Sequence, residues 1–244
     1  MGNFSGQIAL VTGASSGIGK AIALGLAGQG ATTCLVARNL DRLQAVAESA
    51  SAVAPHLRLY PADLTRDEAI QQLAAKLQRD FGQVDVLVHS AGIIHLGPLE
   101  RAPVAEFDQQ YRANLRAPYA LTQALLPMIK SRRGQIAFIN STAGLIARAN
   151  VGQYAATQFA LRAIADSLRE EVNVDGVRVI TIHPGRTATP RQANIHAIEG
   201  KNYHPERLMQ PEDVAAAVLN ALSLPRTAEV TNISMRPMLK PLQP

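Results

Sequence analysis

The chain is 244 residues long and 47% of its residues are hydrophobic, a size and composition typical of a single globular domain. This composition excludes collagen-like, coiled-coil and disordered proteins. The formal net charge is +5, and the whole surplus lies in residues 109–165, which hold seven basic and no acidic side chains. The flanking segments carry −2 (residues 1–108) and 0 (residues 166–244).

Seven short, mostly apolar runs predict β-strands, because strands covered on both faces are apolar almost continuously. They are Ile8–Thr12, Thr32–Ala37, Leu57–Tyr60, Val84–His89, Gln135–Asn140, Val177–His183 and Glu229–Met235. Stretches with helical spacing lie between them. The first runs from Gly17 to Gln29, the second opens at Asn39, and the third opens at Thr65-Arg-Asp-Glu68, which matches a capping box.

The alternation of strands and helices predicts an α/β fold, a Rossmann-type doubly wound parallel β-sheet with helices on both faces. No repeat or linker divides the chain, so residues 1–244 are expected to form a single dinucleotide-binding and catalytic domain. Residues 184–210 are the least regular part. A loop of this length inside a compact domain is usually functional or mobile.

The single cysteine, Cys34, cannot form an internal disulfide and is expected at a buried strand position. No apolar stretch approaches the roughly eighteen residues needed to span a bilayer. We therefore predict a cytoplasmic protein without a membrane partner.

A glycine-rich turn, Gly13-Ala-Ser-Ser-Gly17-Ile-Gly19, follows the first predicted strand and leads directly into a helix. Glycines at such a turn let a pyrophosphate approach the backbone, and the helix N-terminus offers it free N–H groups. A tight turn without a ligand is the alternative. The spacing Gly-x-x-x-Gly-x-Gly resembles that of the short-chain dehydrogenase/reductase family. The resemblance implies that the turn binds the cofactor through Gly13, Ser15, Ser16, Gly17, Ile18 and Gly19.

The second predicted strand ends at Ala37-Arg38, where a fold selective for NAD would place an acid. Arginine cannot accept a hydrogen bond from the ribose 2′-hydroxyl but pairs well with a 2′-phosphate, so NADP is the predicted cofactor. A solvated strand-end charge is the alternative for Arg38. Asp63, followed by Leu64, matches the aspartate that contacts adenine in the family, although Asp is also common just before a helix.

The family motif Asn-Asn-Ala-Gly is replaced here by His89-Ser-Ala91-Gly92. The resemblance implies that Ala91 and Gly92 line the cofactor site. We interpret His89 as a structural residue rather than a proton shuttle. Further along, Pro184-Gly185 with Thr187 and Thr189 matches the family segment that holds the nicotinamide carboxamide.

Ser141 ends a predicted strand, and Tyr154 follows thirteen residues later at the start of a helix. This separation matches the catalytic serine and tyrosine of the family, in which the serine holds a carbonyl oxygen and the phenol exchanges a proton with it. A strand-end hydroxyl and a buried aromatic ring are the alternatives. Asn114 matches the asparagine that bends the central helix and holds a proton-relay water in the family.

Position 158 departs from the family pattern Tyr-x-x-x-Lys, because the chain reads Tyr154-Ala-Ala-Thr-Gln158. The family lysine binds the nicotinamide ribose and lowers the phenol pKa. A charge about 4 Å away at an effective dielectric near 20 is worth roughly 4 kcal/mol, or about three pKa units. Gln158 can hydrogen-bond the ribose but carries no charge. Surface cations in residues 109–165 are not expected to compensate, since the Debye length is about 8 Å.

Two functions follow. The first is an NADP(H)-dependent oxidoreductase that interconverts a carbonyl and a secondary alcohol, biased to reduction, because reduction uses the protonated phenol. The alternative is a catalytically weak or inactive NADP-binding homologue that acts as a sensor or partner subunit. A third possibility is that Gln158 was introduced by substitution in place of another residue. The sequence does not distinguish these three possibilities.

The substrate-binding segment is expected at about residues 186–208, with Tyr203 and His204 joining Ser141 and Tyr154 at a small-molecule ligand. Four cations could attract an anionic substrate, but two glutamates offset half of them, and a solvated loop is equally consistent. These residues are Arg186, Arg191, Lys201, Arg207, Glu199 and Glu206. The chain end lacks Asp-Gly-Gly, which favours a general carbonyl or hydroxy-acid reductase. No metal site is predicted.

The basic surplus does not indicate nucleic-acid binding, because the chain contains no Trp and the aromatic residues of 109–165 lie mostly in apolar surroundings. The family resemblance implies instead that helices over roughly residues 104–131 and 151–172 form a subunit interface. We therefore expect a homodimer or homotetramer.

Overall fold

The computed structural model describes residues 2–50 and 56–239. A seven-stranded sheet with the order β3-β2-β1-β4-β5-β6-β7 runs through the molecule, and every strand pair is parallel. The predicted Rossmann-type fold is confirmed. The strands are β1 Ile8–Thr12, β2 Thr32–Ala37, β3 Leu57–Pro61, β4 Val86–His89, β5 Gln135–Ile139, β6 Arg178–Pro184 and β7 Asn232–Met235.

Helices cover both faces of the sheet. The α-helices are α1 Gly17–Gly28, α2 Leu40–Ala50, α3 Asp67–Asp80, α4 Val104–Tyr111, α5 Ala117–Ser131, α6 Gly152–Val172, α7 Pro190–Ile198 and α8 Pro211–Leu222. Helices α3, α5 and α6 pack on one face and helices α1, α2 and α8 on the other. In β1, Ile8 and Leu10 enter the first layer while Ala9 and Val11 enter the second, because successive side chains of a strand alternate. Cys34 is fully buried in β2, as predicted, and burial raises its thiol pKa to about 12.

The predicted last strand is too long, since β7 begins at Asn232 rather than at Glu229. The Glu229 carboxylate accepts a hydrogen bond from the backbone N–H of Val179 at 2.9 Å. The Glu229 side chain, rather than the backbone of a longer β7, therefore binds this end of β6.

The predicted capping box at Thr65 is wrong. Helix α3 begins at Asp67, and its preceding residue Arg66 makes no capping hydrogen bond. The Thr65 hydroxyl instead donates to the Asp63 carboxylate at 2.8 Å, and the Thr65 N–H donates to the same oxygen. Because Thr65 binds the Asp63 carboxylate two residues earlier, it does not cap the helix, and the chain turns before α3 starts.

The segment predicted to be a loop after β6 contains helix α7, so the loop prediction for residues 186–208 is wrong in part. Thr189 caps this helix by accepting a hydrogen bond from the Gln192 N–H, and Pro190 occupies its first position. A Thr-Pro start is a typical helix N-terminus.

The basic surplus of residues 109–165 is largely neutralised by acids from outside that segment. Four of its seven cations form ion pairs, namely Arg116 with Asp67, Lys130 with Asp175, Arg132 with Asp85 and Arg162 with Asp166. The local excess therefore produces no uniform basic face. None of the helices in the described part of the chain has both the length and the hydrophobicity of a membrane-spanning segment.

Candidate active site

The glycine-rich turn after β1 packs directly on the segment after β4. The Thr12 hydroxyl oxygen accepts hydrogen bonds from the N–H groups of Ser90 and Ala91, at 3.0 and 3.1 Å. Gly13 has φ +68°, and a Cβ there would lie 2.8 Å from the Ala91 nitrogen. Only glycine permits both this conformation and this approach. The strand order diverges between β1 and β4, which is where open α/β sheets bind ligands.

The N-terminus of α1 is open to an anion. Ser16 precedes the helix without forming a side-chain cap, and the first turn contains no acid. Gly17, with φ +54°, faces Thr189 across the cleft, and a Cβ at Gly17 would lie 2.9 Å from the Thr189 methyl group. The structure thus brings the glycine turn and the segment after β6 together, around N–H groups suited to a phosphate.

Arg38 is exposed at the end of β2 and forms no ion pair within the described parts of the chain. Asp63 and the buried Leu64 follow β3, the neighbouring strand. The predicted 2′-phosphate and adenine residues therefore lie at the same edge of the sheet as the glycine turn.

Asn114 lies in a π-helical turn, Arg112–Arg116, between α4 and α5, which agrees with the predicted bend. Its side chain is buried and accepts from the Ile93 N–H at 2.7 Å while donating to the Ile93 carbonyl at 2.9 Å. The amide also donates to the Thr157 hydroxyl at 3.2 Å. Asn114 therefore ties the segment after β4 to helix α6, one turn from Tyr154.

Ser141 follows β5 and Tyr154 lies in the first turn of α6, and the two side chains are close enough for Ser141 to lower the pKa of the phenol. Ser141 also accepts from the Ala143 N–H at 3.1 Å, which holds its side chain at the start of a short 3₁₀ turn. Burial raises the pKa of the Tyr154 phenol, while the Arg191 guanidinium and the Ser141 side chain lower it by smaller amounts. At neutral pH the phenol is therefore protonated and able to act as an acid.

Three residues that the sequence did not single out support this pair. Asn140 donates from its amide to the Gln158 carbonyl at 2.9 Å and accepts from the Ser141 N–H at 2.7 Å. A Cβ at Gly144 would lie 3.0 Å from the Gln158 carbonyl oxygen, so a glycine here lets α6 pack closely on the turn after β5. The buried His183 contacts the Ser141 carbonyl through Nδ1 at 3.2 Å. A polar residue at the end of an apolar strand was the available signal for Asn140 and His183.

Gln158 is buried, and its side-chain oxygen has no hydrogen-bond partner among residues 2–50 and 56–239. A buried acceptor without a donor is costly unless a ligand supplies one. A hydroxyl group is the simplest donor, so this position fits a ribose. It does not supply the positive charge that lysine would.

His89 lies outside this cluster. It stacks on Phe138 with ring centroids 4.9 Å apart, and its Nε2 lies 2.8 Å from the Thr122 hydroxyl. Burial lowers its pKa to about 3, so the imidazole is neutral. This agrees with a structural role.

The segment after β6 places some predicted residues at the cleft and others at the surface. Thr187 is buried, and its hydroxyl donates to the Gly185 carbonyl at 3.1 Å. The Tyr203 ring packs edge-on against His196, and His204 pairs with Glu206. None of the hydrogen bonds of the described residues joins Tyr203 or His204 to Ser141 or Tyr154, so their contact with substrate stays a prediction.

Glu199 neutralises two cations of this segment. It accepts two hydrogen bonds from the Arg186 guanidinium, at 2.6 and 2.8 Å, and it pairs with Lys201 at 2.9 Å. Neither cation is therefore freely available to an anionic substrate.

Comparison with known proteins agrees with this arrangement. A model of the short chain dehydrogenase family matches residues 7–200. An uncharacterised oxidoreductase of Staphylococcus aureus (strain MRSA252) is 33% identical over 233 residues, covering 95% of this chain and 97% of that protein. The chain is also similar to the solved structure of an alcohol dehydrogenase from the archaeon Thermococcus sibiricus complexed with 5-hydroxy-NADP, with 28% identity, a TM-score of 0.87 and 97% and 99% of the two chains covered. A metagenomic short-chain oxidoreductase in complex with NADP is 32% identical, with a TM-score of 0.84 and coverage of 98% and 100%.

Proposed function

Because the chain belongs to the short-chain dehydrogenase family, we propose that it is an NADP(H)-dependent oxidoreductase that interconverts a carbonyl and a secondary alcohol. The observation that carries this proposal is the placement of Ser141 and Tyr154 beside each other where β5 leads into α6. The pair lies at the same sheet edge as the glycine turn, so a ligand bound along that edge can reach both.

The cofactor fits the residues present. The N–H groups at the start of α1 would hold the pyrophosphate, and Arg38 would pair with the 2′-phosphate. The unpartnered side-chain oxygen of Gln158 would accept a hydrogen bond from a ribose hydroxyl. Asp63, Ala91 and Gly92 would line the adenosine part, and Pro184, Gly185, Thr187 and Thr189 the nicotinamide. The solved structures complexed with NADP and 5-hydroxy-NADP support this assignment.

In carbonyl reduction, the cofactor supplies a hydride when bound, and the protein supplies the proton. The Ser141 hydroxyl donates a hydrogen bond to the substrate carbonyl oxygen and orients it. The Tyr154 phenol then transfers its proton to that oxygen. Asn114 and Asn140 hold these groups in place through the hydrogen bonds that join α6 to β4 and β5.

The reaction is biased towards reduction at neutral pH. Burial raises the pKa of Tyr154, so the protonated acid is abundant while the phenolate needed for alcohol oxidation is scarce. Raising the pH therefore increases the rate of oxidation. The absent lysine also favours a second candidate function, an NADP-binding homologue with little or no turnover that serves as a sensor or partner subunit.

Replacing Arg38 with Asp is expected to weaken NADPH binding by about ten- to hundredfold, because a charged hydrogen bond to the 2′-phosphate contributes about 1.5–3 kcal/mol. The same change should strengthen NADH binding, since a carboxylate accepts from the 2′-hydroxyl. Titration of cofactor fluorescence measures both constants. Arg79→Asp, at an exposed cation beside Asp80, serves as the control. If neither NADPH nor NADH binds the wild-type protein, the proposed function is wrong.

We also propose a homodimer or homotetramer built on α4, α5 and α6. Aromatic side chains are exposed along these helices, namely Phe107, Tyr111, Tyr119 and Phe159. Exposed aromatic residues that share one surface are typical of subunit interfaces. Phe159→Glu is expected to convert the assembly to monomers in sedimentation velocity, whereas Val174→Glu, at an exposed residue on the turn after α6, leaves it intact. A wild-type monomer at micromolar concentration would contradict the proposal.

A further inference from the structure

We propose that His183 is a positioning residue for the reacting serine, because its imidazole holds the backbone of Ser141 from the neighbouring strand β6. Asn232 of β7 holds the opposite side of the same ring. The inference rests on the function proposed above, since it assigns His183 a role in placing the hydroxyl that orients the substrate carbonyl. His183 acts through Ser141 and does not itself exchange a proton with substrate.

His183 lies near the carboxyl end of β6, and only 1% of its surface is exposed. A buried imidazole is costly unless its ring nitrogens have hydrogen-bond partners. Here Nδ1 lies 3.2 Å from the Ser141 carbonyl oxygen, and Nε2 lies 3.3 Å from the side-chain oxygen of Asn232. The ring therefore joins the segment after β5 to the outermost strand, β7.

The contact with Ser141 requires a proton on Nδ1, because a carbonyl oxygen only accepts hydrogen bonds. Two arrangements satisfy the contact with Asn232. Either a protonated imidazole donates to the amide oxygen through Nε2, or the amide is turned so that its NH₂ group donates to an unprotonated Nε2. Both arrangements keep the proton on Nδ1, so Asn232 holds the ring in the form that binds Ser141.

The hydrogen bond from His183 acts on the peptide group that leads into the 3₁₀ turn after Ser141. Ser141 is extended, with φ −159° and ψ 157°, and its carbonyl also accepts from the Gly144 N–H at 2.9 Å. Within this turn the Ala143 N–H donates to the Ser141 hydroxyl. On the other side of the residue, Asn140 accepts from the Ser141 N–H. Both peptide groups of Ser141 are thus held, and the hydroxyl is placed by them.

His89 provides a contrast within the same sheet. It is also buried at the end of a strand, but its ring stacks on Phe138 and contacts the Thr122 hydroxyl of α5. A buried strand-end histidine therefore does not by itself indicate a role at the site. The role of His183 follows from its partner, which is the backbone of the proposed reacting serine.

The protonation of the ring is tested by nitrogen-15 NMR of the histidine-labelled protein without cofactor. The chain contains six histidines, and the signals that His183→Asn removes are those of His183. We expect Nδ1 to carry a proton in the folded protein at neutral pH. A ring protonated only at Nε2 would contradict the inference, because the Ser141 carbonyl would then face no donor.

The role itself is tested by the kinetics of NADPH-dependent carbonyl reduction. His183→Leu removes both ring contacts and should lower kcat by about ten- to hundredfold, because a misplacement of about 1 Å can cost a hundredfold in rate. KM and NADPH affinity should stay within a few-fold of the wild-type values. His183→Asn should restore most of kcat, since its amide nitrogen occupies the place of Nδ1, whereas the amide of His183→Gln reaches the place of Nε2 and should not.

Thr181→Val is the matched control. Thr181 is another fully buried polar residue of β6, and its hydroxyl has no hydrogen-bond partner within the described parts of the chain. Its replacement should leave kcat unchanged. Wild-type kcat in His183→Leu would overturn the inference, as would equal kcat values in the Asn and Gln variants. The comparison of Asn with Gln decides the matter even if the Leu variant does not fold.

A failure of the proposed function gives a different result. If the wild-type protein binds no NADPH and reduces no carbonyl compound, the proposed function is wrong, and crystal structures of the cofactor-free variants then decide the inference. The Ser141 hydroxyl should move relative to Tyr154 in His183→Gln and keep its wild-type place in His183→Asn. An unmoved hydroxyl in both variants would show that His183 does not position it.

Discussion

Gln158→Lys is expected to accelerate NADP-dependent alcohol oxidation at neutral pH by about a hundredfold. A full charge about 4 Å from the phenol is worth roughly 4 kcal/mol at an effective dielectric near 20, and one pKa unit corresponds to about 1.4 kcal/mol. The Tyr154 ring is only partly buried, so water screens part of this interaction and the increase should be smaller than the thousandfold limit. The ammonium group would also donate to the ribose hydroxyls, which the present amide oxygen can only accept from.

The two reaction directions should respond differently. Oxidation needs the phenolate and gains directly from a lower pKa, whereas reduction already has its protonated phenol and should change by less than about tenfold. Initial rates in both directions between pH 6 and pH 10 measure this, and the oxidation plateau should begin at a lower pH in the variant. Gln123→Lys adds the same charge on the exposed face of α5 and should change neither direction.

Equal acceleration of both directions would contradict a role for the lysine in setting the phenol pKa. A second outcome would decide between the two candidate functions. If the wild-type protein binds NADPH but reduces no ketone or aldehyde of a broad panel, and Gln158→Lys reduces some of them, the natural role is that of a cofactor-binding homologue.

Tyr154→Phe should reduce the rate of NADPH-dependent carbonyl reduction by about a hundred- to ten-thousandfold, the usual contribution of a positioned proton donor. The change removes one oxygen atom from a partly buried ring and keeps the shape of the site. NADPH affinity should therefore stay within a few-fold of the wild-type value. Stopped-flow measurement of the absorbance loss at 340 nm, combined with a binding titration, separates the two effects.

Tyr111→Phe provides the control, since Tyr111 is exposed on α4 and has no role in the proposed chemistry. It should reduce carbonyls at the wild-type rate. Reduction by Tyr154→Phe at a rate comparable to wild type would show that another group donates the proton, and the assignment of Ser141 and Tyr154 as a reacting pair would then be wrong.

The fold could be predicted from the sequence because its determinants are local or periodic. Apolar runs such as Thr32–Ala37 identify buried strands, and the glycine turn after β1 needs a conformation that glycine adopts at Gly13 and Gly17. The predicted boundaries of the strands and helices were less accurate. At Glu229 and Thr65 a side-chain carboxylate binds a group that the pattern alone assigns to a strand or a helix cap.

The spacing of Ser141 and Tyr154 and the missing lysine at position 158 could also be read from the chain. Both depend on residues close in sequence, within one strand, turn and helix. The structural consequence of the missing lysine could not be read from the chain. Whether Gln158 is buried, and whether its oxygen has a donor, depends on how closely α6 approaches β5 over Gly144.

The sequence by itself thus determined the order of the elements, the glycine turn and the identity of the predicted reacting groups, because each follows from short-range patterns of side chains. The tertiary structure decided which distant groups meet. A parallel sheet gathers the carboxyl ends of its strands at one edge, so Arg191 after β6 reaches Gly92 after β4, ninety-nine residues earlier. It also decided that three cations of the basic segment, Arg116, Lys130 and Arg132, meet acids that are distant in sequence. Charge counted along the chain cannot show either result, because electrostatic interactions depend on distance in space.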